Sequence, residues 1–139
     1  MEKALLNLSE LQKYAAKCAK TLKGGEVIAL IGDLGAGKTT FVKALLKAQG
    51  IKKRVTSPTF SLMVPYKKGR FIFYHIDLYR IKNHKEFLSL EIMENWMKPK
   101  SVHLIEWADK IQKHLPKGTI VMHFAAEPDG RHSVKVSKK

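Results

Sequence analysis

The sequence is short of cysteine, of acidic residues, of arginine and of long apolar runs, and the first and last of these shortages each remove a class of protein. Cys18 is the single cysteine among 139 residues. No CxxC pair or His/Cys cluster stands at zinc-ligand spacing, so a disulfide framework and a zinc-finger fold are excluded and a reducing compartment fits. No run approaches the ~18 apolar residues of a membrane helix. The opening MEKALLNLSELQKY carries charges inside its apolar stretch, unlike a secretion signal. The expectation is a soluble, cytoplasmic protein with no membrane partner. Only 12 acidic residues face 26 basic ones, a formal net charge of +14, which suggests an anionic partner. Arginine is confined to Arg54, Arg70, Arg80 and Arg131, and the other basic residues are lysines. Lysine is a flexible point charge, whereas arginine recognises phosphates and bases in a planar, bidentate way. Composition therefore leaves both a nucleic-acid-facing surface and a merely solvated one open.

What is present is enough for one globular domain, residues 1–139, with 45% hydrophobic residues to build a core. Apolar residues from Ser9 to Leu22 recur at spacings of three and four, which predicts an amphipathic helix with Ser9 as its cap. Val27 to Ile31 is a short continuous apolar run, the mark of a strand buried on both faces. A glycine-rich stretch follows, and then a second helical pattern from Phe41 to Gln49 closed by Gly50. A hairpin is expected from Ser61–Tyr66 and Phe71–Asp77 around the turn at Lys67–Arg70. A helix is expected over about Asn83–Met97, a buried strand over Val102–Glu106 and a short helical piece over Asp109–Leu115. The last strands fall at Thr119–Phe124 and Val134–Val136, on either side of a turn at Pro128-Asp129-Gly130. This alternation predicts a three-layer α/β domain of P-loop type, with a mostly parallel sheet and one antiparallel hairpin.

Chemistry concentrates in Gly32-Asp33-Leu34-Gly35-Ala36-Gly37-Lys38-Thr39-Thr40, which matches the phosphate-loop pattern GxxxxGKT and lies between a buried strand and a helix. Glycines let consecutive backbone N–H groups turn toward phosphate oxygens, and the helix adds the positive end of its dipole. Lys38 would reach the β- and γ-phosphates, and the Thr39 hydroxyl would serve Mg²⁺. That ion also needs a carboxylate at the end of a neighbouring strand, and Asp77 and Glu106 both occupy such ends. Thr56-Ser57-Pro58-Thr59 stands where phosphate-loop enzymes place a γ-phosphate-sensing loop. His75 and His103 precede the two carboxylates and read as hydrogen-bonded core histidines rather than metal ligands. Trp96 and Trp107 read as packing residues, with Trp107 beside Glu106 able to shape the site.

GDLGAGKTTF, SPTFSL, HIDLYR and LIEW occur in that order over nearly the whole chain. Together they resemble the bacterial TsaE (YjeE) family, the ATPase component of tRNA threonylcarbamoyladenosine biosynthesis. The resemblance implies ATP and Mg²⁺ as cofactors, slow ATP hydrolysis, and TsaB and TsaD as partners. It also implies action at position 37 of tRNAs reading ANN codons, with tRNA met directly or through the complex. Carried onto this chain, Gly32 to Thr40 would hold the phosphates, with Lys38 on phosphate and Thr39 and Glu106 on the metal. Asp77 would be the second catalytic carboxylate. Thr59, in a switch-like segment from Ser57, and Arg131 would approach the nucleotide. Three other readings are weighed. A nucleotide-gated scaffold or tRNA-binding module with incidental hydrolysis stays open. A small-molecule kinase is disfavoured by the few arginines. A GTPase is disfavoured because Asn83-His84-Lys85-Glu86 does not match the guanine-reading Asn-Lys-x-Asp.

Overall fold

A computed structural model of the chain describes residues 2–56, 58 and 62–139. The strands are β1 (Glu2–Leu6), β2 (Val27–Ile31), β3 (Met63–Lys68), β4 (Phe71–Asp77), β5 (Ser101–Glu106), β6 (Ile120–Ala126) and β7 (His132–Lys138). The helices are α1 (Leu8–Lys20), α2 (Lys38–Ala48) and the short α3 (His84–Leu88), with 3₁₀ turns at Ile92–Asn95 and Ala108–His114. The strands form a single sheet in the order β1-β7-β6-β2-β5-β4-β3.

The sheet is mixed, which corrects the expectation of a mostly parallel one. Parallel pairing joins β2 to β5, β2 to β6 and β4 to β5. Antiparallel pairing joins β3 to β4, β6 to β7 and β1 to β7. The reason is loop length. Only a few residues around Pro128–Gly130 separate β6 from β7, far too few for the crossover that a parallel neighbour requires. Strand β1 has no counterpart among the expected elements. It is an edge strand whose described side chains are exposed or half-exposed, so it carries no buried apolar run.

Burial on both faces makes β2 the centre of the fold. Ile28 and Leu30 face a core shared with α1 and α2, including Leu11, Phe41, Leu45 and Phe73. Val27 and Ala29 face a second core with Phe87, Ile92, Ile105 and Ile111. Each such fully buried Leu, Ile or Phe contributes about 1.5–3 kcal/mol of apolar transfer free energy. Helix α1 starts one residue before the expected Ser9 and is capped by Asn7, whose side chain accepts from Glu10 N at 2.8 Å while Glu10 Oε1 accepts from Asn7 N at 3.0 Å. This reciprocal pair satisfies two otherwise unpartnered backbone donors.

The helix expected over Asn83–Met97 is broken. Asn83 does cap α3, accepting from the N–H groups of Lys85 and Glu86, but Glu91 and Met97 take left-handed backbone angles, φ 57° and 60°. These bends turn Phe87 and Ile92 inward, both buried, while Leu88 and Met93 between and beside them face solvent. A spacing of five residues between the two buried anchors does not fit one helical stripe. Among the described residues, no helix is long and apolar enough to cross a membrane.

Candidate functional site

Three parallel strands end side by side at one edge of the sheet, and that edge is where ligands of open α/β sheets bind. In register, Leu30 of β2 lies opposite Glu106 of β5, and Glu106 lies opposite Asp77 of β4. The glycine-rich loop leaves the end of β2 and enters α2. Its first glycine is forced by space: a Cβ on Gly32 would sit 2.4 Å from the Phe124 carbonyl oxygen, at φ 152°. Gly37, the residue before α2, has φ 111° and provides no side-chain cap, and the first turn of the helix contains no acidic residue. The backbone donors at this end are therefore uncapped and the local dipole is uncompensated, which favours an anion.

Lys38 is buried in this loop, with its Nζ donating to the Gly32 carbonyl and lying 3.5 Å from the centroid of the Trp107 ring. Burial pulls its pKa below the usual lysine value, and the nearby carboxylates, Glu106 first and then Asp77, oppose that shift. Thr39 Oγ1 donates to Glu106 Oε1 at 2.7 Å. The other oxygen of Glu106 meets His75 Nε2 at 2.5 Å, with both side chains buried. Asp77 Oδ1 accepts from Tyr79 N at 2.9 Å, and the Asp77 N–H donates to the Leu62 carbonyl. Trp107 has φ 61°, and its N–H donates to the Leu30 carbonyl, ending β5 just after Glu106.

These groups surround a cleft of about 280 Å³ that includes Lys38, Thr39, Thr40, Asp77, Glu106 and Trp107. The structure thus brings together most of the residues singled out from the sequence. Leu34 is the loop's exposed tip, at 69% exposure, and Ala36 is buried beneath it. Ala36 N donates to the Asp33 carbonyl, which keeps the loop curled. Arg131 is not among the cleft residues. It sits at the β6–β7 turn, about half-exposed, with its Nε donating to Asp129 Oδ2 at 2.8 Å. The cleft takes the next residue instead: His132 Nδ1 lies 2.9 Å from the Ala36 carbonyl oxygen and holds the loop from β7. Nothing in a single sequence marks His132, because it differs from its neighbours only in where the strand places it. Ser57 and Thr59 lie outside the described residues.

The expectation of hydrogen-bonded core histidines holds for His75 and fails for His103. His103 is fully buried with neither ring nitrogen bonded among the described residues, stacked on Tyr74 and edge-on to Trp96, each at 4.8 Å between centroids. Burial pushes its pKa down to about 4. Among the described residues no group of three His, Cys, Asp or Glu could hold a metal. Those residues therefore build no closed zinc or calcium cage. A single carboxylate beside a hydroxyl fits Mg²⁺, which takes one or two protein ligands and completes its shell with phosphate and water.

Fold and site together define an α/β protein in which a glycine-rich strand–loop–helix junction, with the start of its helix uncapped, is faced by two buried carboxylates. The family model described as "Threonylcarbamoyl adenosine biosynthesis protein TsaE" matches residues 5–134. The protein of that pathway named TsaE from Treponema pallidum is 34% identical over 125 residues, covering 90% of this chain and 91% of the relative. The Bacillus subtilis TsaE is 39% identical over 112 residues, covering 81% of this chain and 69% of the relative. The crystal structure of Bacillus subtilis YdiB superposes with a TM-score of 0.81 at 29% identity, covering 99% of this chain and 84% of that one. The chain belongs to the TsaE family, whose members take part in threonylcarbamoyladenosine modification of tRNA.

Proposed function

We propose that this protein binds ATP with Mg²⁺ at the junction of β2 and α2 and hydrolyses it slowly. On this reading it is a cytoplasmic component of the tRNA threonylcarbamoyladenosine machinery, working with TsaB and TsaD at position 37 of ANN-decoding tRNAs. The observation that carries the reading is the meeting of Lys38, Thr39, Asp77 and Glu106 in one cleft, drawn from the start of α2 and the ends of β4 and β5.

The loop N–H groups cradle the phosphates, and Lys38 exchanges the Gly32 carbonyl and the Trp107 ring for β- and γ-phosphate oxygens. Thr39 and Glu106, already hydrogen-bonded, are the residues that would hold Mg²⁺, which would supply positive charge to neutralise the phosphates. His75 fixes the orientation of Glu106. Asp77, tied by one oxygen to Tyr79 N, orients the attacking water. Slow turnover follows from the cleft's lining, which contains no arginine among the described residues. An arginine at the transferring phosphate is worth about 10³–10⁵ in rate where it is present.

The test is ATP binding and turnover by the purified chain with Mg²⁺, alone and with TsaB, TsaD and tRNA, against Lys38→Ala. Turnover that rises with the partners and is lost in the variant is the expected result. Nucleotide binding without partner-dependent turnover would instead favour a nucleotide-gated scaffold, and absence of binding would overturn the reading.

A further inference from the structure

Between Asp33 and Asp77 the sequence has no acidic residue. Positions 34–76 hold nine lysines and arginines and no Asp or Glu, although twelve acidic residues in 139 would put about four in a stretch that long. The fold gathers part of this stretch onto one face. Lys43 and Lys47 stand on the exposed side of α2, and Lys52 and Lys53 on the loop that follows. The four border one hollow with Gly50, Ile51 and Val55. Lys68 enters from β3, its Cε reaching within 3.3 Å of the position a Cβ on Gly50 would take. All five lysines are exposed, and among the described residues none of them makes an ion pair.

Five ammonium groups around one hollow with no carboxylate among them repel one another and lower the stability of the folded chain. Lysines kept only for solubility would be interspersed with acidic residues. We propose that this face, formed by α2, the loop after it and β3, contacts the phosphate backbone of tRNA directly. The choice of RNA rests on membership of a tRNA-modifying family and not on the proposed ATP hydrolysis. Lysine supplies point charge rather than bidentate reading of base edges. Tyr66, the aromatic residue beneath Lys53, is buried and offers no stacking platform. The contact is accordingly with phosphates, indifferent to base sequence and steeply weakened by salt.

The experiment is fluorescence anisotropy of a labelled tRNA transcript with the full chain, without nucleotide, from 50 to 200 mM KCl. The variant Lys43→Gln/Lys47→Gln/Lys52→Gln/Lys53→Gln is compared with Lys82→Gln/Lys85→Gln/Lys113→Gln/Lys117→Gln, which removes equal charge from exposed positions around α3 and the second 3₁₀ turn. The first set should weaken binding about tenfold or more and flatten the log–log salt slope by about 3, since each phosphate neutralised by a lysine adds ~0.7–0.9 to that slope. The second should change both only slightly. A loop-only variant, Lys52→Gln/Lys53→Gln, should flatten the slope by roughly half as much and guards against misfolding of the fourfold change. Equal weakening by both fourfold sets would reduce the effect to diffuse net charge and overturn the proposal. Absence of tRNA binding by the unaltered chain at 50 mM salt would overturn it too, leaving an acidic protein as the face's partner. Because nucleotide is left out, neither result bears on ATP binding.

Discussion

His103 sets a measurable acid sensitivity. Its ring is fully buried and unbonded in the second core, and burial lowers its pKa from 6.5 to about 4. In the unfolded chain the same imidazole titrates near 6.5, so between pH 6.5 and 4 the unfolded state binds a proton that the native state refuses. Stability is therefore present in full above the unfolded pKa and is lost as pH falls through this window. The whole shift is worth about 3 kcal/mol, of which about 2 kcal/mol is lost between pH 7 and pH 5. His103→Leu keeps a similar volume between Tyr74 and Trp96 and removes the titration. Urea unfolding of both proteins at pH 7 and pH 5 isolates the residue, since every other group titrates alike in the pair. The unaltered protein should lose about 2 kcal/mol more than the variant on acidification. Indistinguishable losses in the two proteins would mean that His103 gains a proton in the native state, and the argument from its buried, unpartnered ring would fail.

The two carboxylates of the cleft should separate by function. Glu106→Ala removes the acceptor shared by Thr39 and His75 and should abolish the Mg²⁺-dependent part of ATP binding in calorimetry. Asp77→Ala should leave binding within a few-fold and cut turnover about 100-fold or more; equal loss of binding in both would refute the assigned roles. Of the loop glycines, Gly32→Ala meets the Phe124 carbonyl and should cost on the order of 2–4 kcal/mol in urea unfolding. Gly35→Ala, at φ 78° with nothing within 4 Å of the added carbon, should cost only about 1 kcal/mol.

The central part of the fold was legible because its signals are local. Val27–Ile31 and Phe71–Asp77 form strands at the positions read from their apolar runs, and Lys38, Thr39, Asp77 and Glu106 meet as their spacing suggested. Three features escaped because their causes lie elsewhere in the chain. β1 exists by pairing with β7, at the far end of the sequence, Leu6 opposite His132 and Glu2 opposite Val136. The break in the helix after Leu88 is dictated by where the second core takes Phe87 and Ile92. His132 entered the site because it opens β7 and lies against the Ala36 carbonyl, whereas Arg131 stays in the turn before the strand, bonded to Asp129.

Three of the bonds that fix the cleft reach far along the chain: 67 residues from Thr39 to Glu106, 31 from His75 to Glu106 and 96 from Ala36 to His132. A ribosome makes the phosphate loop well before its latch, 96 residues further on. Until β7 is in place the loop lacks the His132 contact at Ala36 and relies on its own turn, α2 and the Thr39–Glu106 bond, so its full set of contacts is completed by the strand–strand pairing of β6 with β7 rather than within the strand–loop–helix unit itself. The same dependence runs in reverse. Fraying of β7 at its His132 end unlatches the loop, and binding should fade under mild denaturant before the sheet's own signal does.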